Sequence, residues 1–479
     1  MLPTWLFLVC AAAAWWGLRR PARMLPVFLV ACVFGSSAAL EVVLLGGAPV
    51  TPALFFVPFL VAAALRQRGP QAVLAGVSLR EAGGWLALFV GWAILTAVFV
   101  PRLLAGQLLV YTTSRTDVTN LGVQLTALQP NTTNLTQSVY LLVGLTVFLA
   151  ARALAADPRH HASIRHGVYA AAAVNAALTL LDGIAAVSGV ELGLSFVRNA
   201  NYAVVSQSIG GWPRLQGAFS EPAALACFSI VLFAFLLGLW LRGVEPRSSG
   251  TLALVTAGVL VLSTSSTAFV TLAIVLGVAA AVQVGHAVLG EHRLRFGVLS
   301  AVLLAGLALG CVLLLWSPPA LERLVEIVRV MVFEKASSAS AVERLAWVEG
   351  TWGNFVDTYG LGTGAGSARG SSYPFVVLGN TGVPGALALL AVIGLLLGVP
   401  GRPADAQASA LLFAARMAFV GALSAAFLVA TMIDPGPVFF VAAGLVAGLL
   451  RATGPAGRHG LPTVADVTLP GAWRPASSR

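Results

Sequence analysis

Long apolar runs separated by short polar segments occupy most of this chain. A helix that crosses a lipid bilayer needs about 20 mainly apolar residues, although short or tilted helices occur. Thirteen runs approach this length, at residues 3–18, 24–45, 50–65, 83–100, 138–151, 166–187, 222–241, 251–264, 267–285, 296–316, 375–398, 409–432 and 437–451. The pattern predicts an all-α, polytopic membrane helix bundle with about 12 or 13 transmembrane helices. The number depends on whether the serine-rich turn at 263–267 separates two helices or kinks one.

Three polar segments between the runs are long enough to form more than a turn, at 101–137, 188–221 and 317–374. The last contains two helical patterns, PPALERLVEIVRVMVFEK and AVERLAWVEGTWGNFVD, followed by GLGTGAGSARGSSYP. We expect the first of these helices to lie at the membrane surface, because its apolar residues recur at three- and four-residue steps. Residues 1–452 are predicted as one transmembrane domain, and 453–479 as a disordered cytoplasmic tail.

Composition supports the membrane interpretation and changes the meaning of the net charge. The chain is 58% hydrophobic and 10% charged, with a mean hydropathy of +0.91, which is far from the average of soluble domains. With thirteen spans, most arginines fall in loops on one side of the membrane, as cytoplasmic loops do. The net charge of +10 therefore indicates orientation, with the amino terminus outside, rather than nucleic-acid binding. All six histidines fall on the predicted cytoplasmic side, so chemistry at the outer face would proceed without histidine.

The stretch GGWPRLQGAFSEPAALA leads directly into the run at 222–241. In one interpretation it is only a helix start, with Ser220 as the cap and Arg214 as an interfacial anchor. In the other, Arg214 binds an anionic group and Glu221 serves as a base or an orienting carboxylate. The sequence leaves both interpretations open.

The segment 317–374 offers further candidates. Its glycine-rich run lacks the lysine of a P-loop, but its glycines permit close approach, and Arg369 could meet a phosphate through its planar fork of donors. Trp347 is either an interfacial anchor or a stacking platform for a sugar.

Four motifs occur in a fixed order: R-x-x-G-x-x-S-E-P before a span, E-R-x-x-W and G-L-G-T-G-x-G-S in the long segment, and L-G-N-T-G-V-P-G entering the next span. Over roughly residues 130–450 this pattern resembles the O-antigen polymerase/ligase superfamily. The resemblance implies a GT-C-type glycosyltransferase of the bacterial inner membrane. Such an enzyme takes an oligosaccharide from undecaprenyl diphosphate at the periplasmic face. It further implies that Arg214, with Arg344 or Arg369, contacts the diphosphate. With this resemblance, the predicted catalytic residues are Glu221, Arg214 and Arg344, and the predicted substrate-binding residues are Arg369, Arg198, Tyr373, Trp347 and Ser367.

Two features indicate which member of that superfamily to expect. The long segment has no histidine, whereas the ligases carry one there, and the S-E-P form of the motif resembles polymerases of exopolysaccharide or capsule. We therefore expect a polymerase, with a ligase or a flippase of polyprenyl-linked sugars as alternatives. The expected partners are the lipid-linked oligosaccharide as donor and acceptor, membrane lipid and a chain-length regulator protein. No cofactor, metal or nucleic acid is expected.

Overall fold

A computed structural model of the protein describes residues 2–42, 48–113, 123–188, 194–200, 208–209, 212–288, 339–401 and 405–452. These ranges are mostly helical, as the apolar runs predict. The helices are α1 (Trp5–Arg19), α2 (Met24–Ala31), α3 (Pro52–Leu74), α4 (Ala82–Leu103), α5 (Thr132–Ala155), α6 (His161–Ser188), α7 (Pro222–Leu241), α8 (Pro246–Leu262), α9 (Ser266–Val288), α10 (Ala339–Asp357), α11 (Tyr373–Gly398), α12 (Ala406–Val429) and α13 (Pro437–Arg451). Short 3₁₀ turns cover Pro21–Arg23, Ala75–Val77 and Pro158–His160.

Seven helical stretches in the described part are long and apolar enough to cross a membrane: Ala82–Leu103, Thr132–Ala155, Pro158–Ser188, Pro222–Leu241, Ser266–His286, Tyr373–Gly398 and Ala406–Val429. Shorter apolar helices accompany them, including α1, α8 and α13. The protein thus has the helix lengths and composition of a multi-pass membrane protein. The predicted span at 296–316, the predicted surface helix at 317–334 and the tail at 453–479 lie outside the described residues.

The prediction of one span over 24–45 is wrong, because helix α2 ends at Ala31. Ser36 and Ser37 are fully buried although they interrupt an apolar run. The backbone N–H of Ser36 donates to the carbonyl oxygen of Ala218 at 2.9 Å, and Ser37 Oγ donates to that of Val197 at 2.6 Å. These tertiary bonds replace helical ones, and the chain continues into a three-stranded sheet of β1 (Leu2–Pro3), β2 (Leu40–Val42) and β3 (Ala48–Val50).

The serine-rich turn separates two helices, as one of the two predicted arrangements requires. Helix α8 ends at Leu262, helix α9 begins at Ser266, and Thr264 between them adopts a left-handed backbone conformation with φ of 45°. Ser263 Oγ donates to the carbonyl oxygen of Leu260 at 2.6 Å, which completes the end of α8.

The polar segment 101–137 contains a hairpin that the sequence pattern did not reveal. Strands β4 (Leu109–Thr113) and β5 (Val123–Ala127) pair antiparallel, and the hydroxyl groups of Thr112 and Thr126 are 3.0 Å apart across them. Strands β6 (Ser208–Ile209) and β7 (Trp212–Pro213) form a second, shorter hairpin. The β4–β5 hairpin matters for the site, because its backbone contacts the loop after α10.

Helix α7 lies at the centre of the bundle. It is apolar on all sides and nearly all of its residues are buried, as expected of a helix surrounded by others. Gly238 of α7 faces the Cα atom of Ala414 on α12 so closely that a methyl group on Gly238 would lie 2.6 Å from it. Small residues at such crossings let backbones approach, which is how helices pack in a membrane.

Ion pairs join the helices at the end that the loop charges assign to the cytoplasm. Arg152 donates to Glu81 at 2.5 Å, and Arg451 reaches the same carboxylate. Asp157 accepts from Arg159 at 2.7 Å and from Arg68 at 2.8 Å. Several of the arginines that set the predicted orientation therefore also hold α3, α4, α5 and α13 together.

Candidate functional site

A cavity of about 680 Å³ opens at the opposite end of the bundle. It is bounded by the end of α2, the starts of α3, α5, α7 and α13, the end of α12, and one face of α10. The charge distribution of the sequence assigns all of these helix ends to the outer face. Its polar lining includes Thr51, Gln137, Tyr140, Glu221, Glu343, Arg344, Trp347, Arg369, Thr431 and Asp434.

Four of the eight predicted site residues line this one cavity: Glu221, Arg344, Trp347 and Arg369. Helix α7 begins at Pro222 as predicted, but its cap is Glu221 in extended conformation rather than Ser220, and the Glu221 side chain makes no capping bond. Arg344 and Trp347 are three residues apart on α10, so they share one face of that helix. Residues far apart in the chain thus meet at one end of the bundle.

Arg369 is held in place by backbone and aromatic contacts. Its backbone N–H donates to the carbonyl oxygen of Tyr111 on β4 at 2.8 Å, and its guanidinium carbon lies 5.0 Å from the ring centroid of Trp347. Its Nε is buried and bonds to no described residue. Burial lowers the pKa of Arg369, while Glu343 and Glu221 oppose that shift, so both carboxylates lie near the guanidinium.

The glycine-rich loop before Arg369 is part of the packed interior. Gly360, Gly362, Gly364 and Gly366 all have positive φ, between 81° and 96°, as the sequence suggested. The amide groups of Gly366 and Ala368 donate to Asn380 Oδ1 at 3.1 and 3.2 Å, and that of Thr363 donates to the carbonyl oxygen of Gly379 at 2.8 Å. Because these amides already have protein partners, the loop positions Arg369 rather than binding a phosphate itself.

Ser367 and Tyr373 lie beside the cavity in structural positions. Ser367 is buried and its Oγ accepts from Asn134 Nδ2 at 2.8 Å. Tyr373 is buried as well, and its hydroxyl donates to the carbonyl oxygen of Ile433 at 3.1 Å. Neither lines the cavity. A direct contact of either residue with substrate stays a prediction.

Arg198 holds the segment that leads to Glu221. Its Nη2 lies 2.5 Å from Asp182 Oδ1, and its Nε donates to the carbonyl oxygen of Gly217 at 2.7 Å. Asp182 Oδ2 accepts from the amides of Gln216 at 2.8 Å and Gly217 at 3.0 Å. This arrangement gives Arg198 a positioning role, and its predicted contact with substrate stays a prediction.

Arg214 lies just before this turn and outside the cavity lining. Burial lowers the pKa of Arg214, and the charge of Glu221 opposes that shift. The contact of Arg214 with the diphosphate stays a prediction.

Replacing Asp182 by asparagine should destabilise the protein by about 2 kcal/mol, because hydrogen bonds from two amides and a guanidinium to a charged carboxylate are weakened together. The midpoint of thermal unfolding in detergent would measure the loss, with the exposed Asp357→Asn as the matched control. If the D182N variant has the same unfolding midpoint as wild type, these bonds do not stabilise the turn.

Asp434 is a cavity residue that the sequence prediction missed. It stands in the turn Asp-Pro-Gly-Pro between α12 and α13, where it is the one acidic residue of a short connection. Burial raises the pKa of Asp434 to about 6, although the amide of Gly436 donates to its Oδ1 at 3.1 Å and opposes the shift. The signal available in the sequence was an acidic residue directly before Pro-Gly-Pro, between two predicted spans.

The rest of the cavity wall is apolar. Phe34, Phe228 and Phe439 contribute aromatic surface, and α12 contributes the small side chains of Ala422 and Ala425. The site therefore combines guanidinium and carboxylate groups with an apolar wall that leads towards the bundle interior. That combination suits an anionic group attached to a hydrocarbon chain.

No protein-family model matches the sequence, and the comparison with curated proteins gives no match either.

Proposed function

We propose that this protein is a polysaccharide polymerase that joins oligosaccharide units carried on undecaprenyl diphosphate, at the periplasmic face of the bacterial inner membrane. One observation carries the proposal. Arg344 and Arg369 both line the cavity, and neither forms an ion pair with a residue in the described ranges. Two such cations beside an apolar wall match a lipid diphosphate, which has two linked phosphates and a hydrocarbon tail.

Both arginines suit the binding of a leaving group. A guanidinium presents donors in a rigid fork that fits phosphate oxygens, and a partly desolvated cavity strengthens the attraction. Trp347 restrains the guanidinium of Arg369 through its ring face, so less side-chain freedom is lost on binding. The contact of Trp347 that the structure shows is therefore with Arg369. Its use as a stacking platform for a sugar stays a prediction.

In the proposed reaction the acceptor hydroxyl attacks C1 of the donor sugar, and the bond from C1 to the diphosphate oxygen breaks. The electron pair remains on the diphosphate, whose growing charge is stabilised by Arg344 and Arg369. The sugar passes through an oxocarbenium-like state, as in glycoside hydrolysis. One of the carboxylates that line the cavity receives the hydroxyl proton. Glu221 is one of these carboxylates, and its charge raises the pKa of Arg369.

The lipid intermediates of cells that lack the gene test the proposal. A polymerase is expected to leave single oligosaccharide units on the carrier lipid, with no long polymer. Polymer of normal length on the carrier would instead identify a ligase. Purified protein in vesicles should then convert the accumulated lipid into longer chains. Movement of that lipid across the bilayer without new glycosidic bonds would identify a flippase and contradict the proposal.

A further inference from the structure

Proton transfer in the cavity depends on carboxylates. Glu221, Glu343 and Asp434 line it, and no histidine is among the described residues that do so. An attacking hydroxyl loses a proton as its oxygen forms a bond to carbon, and a general base needs a free lone pair within hydrogen-bond reach of that hydroxyl. The three carboxylates differ in their surroundings, and these differences separate their roles.

Glu221 and Glu343 face the arginines. The charges of both carboxylates raise the pKa of Arg369, and the charge of Glu221 also raises the pKa of Arg214. Glu343 precedes Arg344 on α10, which places it on the same side of the cavity. Carboxylates beside these guanidinium groups suit the orientation of the arginines towards an anion.

Asp434 is in a different environment. No described cation pairs with it, and its partner is the amide of Gly436, which occupies Oδ1. Its Oδ2 bonds to no described residue, and the side chain lines the cavity. One carboxylate oxygen is thus fixed by the backbone, while the other is available to a hydroxyl group in the cavity.

The backbone around Asp434 is held from two helices. Gln137 Oε1 on α5 accepts from the amide of Asp434 at 3.1 Å, and Tyr373 on α11 donates to the carbonyl oxygen of Ile433. Pro435 and Pro437 restrict the turn on the other side. A carboxylate fixed in this way is preorganised, as a group that must meet a reacting atom should be.

We propose that Asp434 is the general base of the transfer reaction, an inference that rests on the proposed function. The acceptor oxygen forms its bond to C1 of the donor sugar as the bond from C1 to the diphosphate oxygen breaks. The hydroxyl proton moves to Asp434 Oδ2, the electron pair of the broken bond stays on the diphosphate, and the proton later passes to water. Glu221 then positions the arginines and does not receive the proton.

The titration of Asp434 predicts the pH dependence of the reaction. The charged or titratable groups that line the cavity with it are Cys32, Tyr140, Cys227, Glu221, Glu343, Arg344 and Arg369. Tyr373 lies behind the turn. Burial raises the pKa of Asp434 to about 6, so the basic form is lost as the pH falls below that value. The rate should then fall about tenfold for each pH unit below the pKa.

The test compares Asp434→Asn with wild-type protein and with the exposed Asp357→Asn, all as full-length protein in vesicles. The probe is the lipid-linked oligosaccharide that accumulates in cells lacking the gene. The D434N variant should bind this lipid as wild type does, yet form product about 100-fold more slowly, and its residual rate should lose the fall below pH 6. The D357N variant should match wild type in rate and pH profile.

A second measurement needs no substrate. A carboxylate whose pKa is higher in the folded state stabilises the fold at low pH, and this contribution is lost as the pH rises through about 6. Wild type should therefore lose thermal stability over that range relative to D434N. If wild type forms no product from the lipid, the proposed function and this inference both fail. If wild type forms product and D434N matches it at every pH, or only Glu221→Gln removes the pH dependence, Asp434 is not the base.

Discussion

Replacement of Arg369 by alanine should lower polymer formation about 1,000-fold, because removal of one charged donor from a preorganised site commonly has an effect of this size. Arg369 lines the cavity, its Nε has no described partner, and the ring of Trp347 fixes its direction. Its fold-supporting contact is made by the backbone N–H to Tyr111, which alanine retains. The variant should therefore fold normally and fail in diphosphate binding.

Lysine at the same position should recover only part of the loss. It restores a charge, but it presents no planar fork and stacks poorly on an indole. Polymer length in cells and the rate in vesicles would measure both variants. The matched control is Arg102→Ala, which removes an exposed arginine that α4 carries outside the cavity lining. Polymer of normal length from the R369A variant would remove Arg369 from the site.

Replacement of Gly364 by alanine should prevent normal folding. Gly364 has a φ of 96°, and a methyl group there would lie 2.6 Å from the carbonyl oxygen of Thr96 and 2.8 Å from Pro101 Cδ. The unfavourable backbone conformation and the overlap together should cost about 3 kcal/mol or more, since the contacting atoms belong to the rigid helix α4. The loop that carries Arg369 would also lose its close packing against α4 and α5.

The control for that variant is Gly353→Ala. Gly353 lies within α10, and a methyl group added to it would meet no atom within 4 Å. Alanine there should be neutral or stabilising by about 0.5–1 kcal/mol through its higher helix propensity. Unfolding midpoints and the monodisperse fraction after solubilisation would compare the two. Equal stability of G364A and wild type would show that the loop can move away from α4.

The helices were largely predictable, because an apolar run of bilayer length is a local property of the sequence. The start of α7 at Pro222 and the helix that carries Arg344 followed from such local signals. The prediction of one span over 24–45 failed because contacts between distant parts of the chain decide the structure there. Ser36 and Ser37 leave the helical pattern to bond with residues near 197 and 218, and a local pattern contains no information about partners so distant.

The candidate site was predictable in membership more than in role. The sequence predicted that Glu221, Arg344 and Arg369 would lie around one cavity, and all three line the same cavity. The structural use of Arg198 and Tyr373 depends on bonds to Asp182 and Ile433, and no spacing rule indicates such bonds. Asp434 was missed for the same reason. Its environment is made by burial among several helices, and a single carboxylate in a short turn does not reveal that burial.

The segment that follows Arg369 is bonded to the turn that carries Asp434. The amide of Gly370 donates to the carbonyl oxygen of Thr431 at 3.2 Å, and Tyr373 donates to that of Ile433. The proposed anion-binding group and the proposed proton acceptor therefore belong to one rigid unit with a fixed separation. In that arrangement the protein would select substrates by the distance between their diphosphate and the attacking hydroxyl. Oligosaccharides of different sugars but equal reach would then be accepted alike.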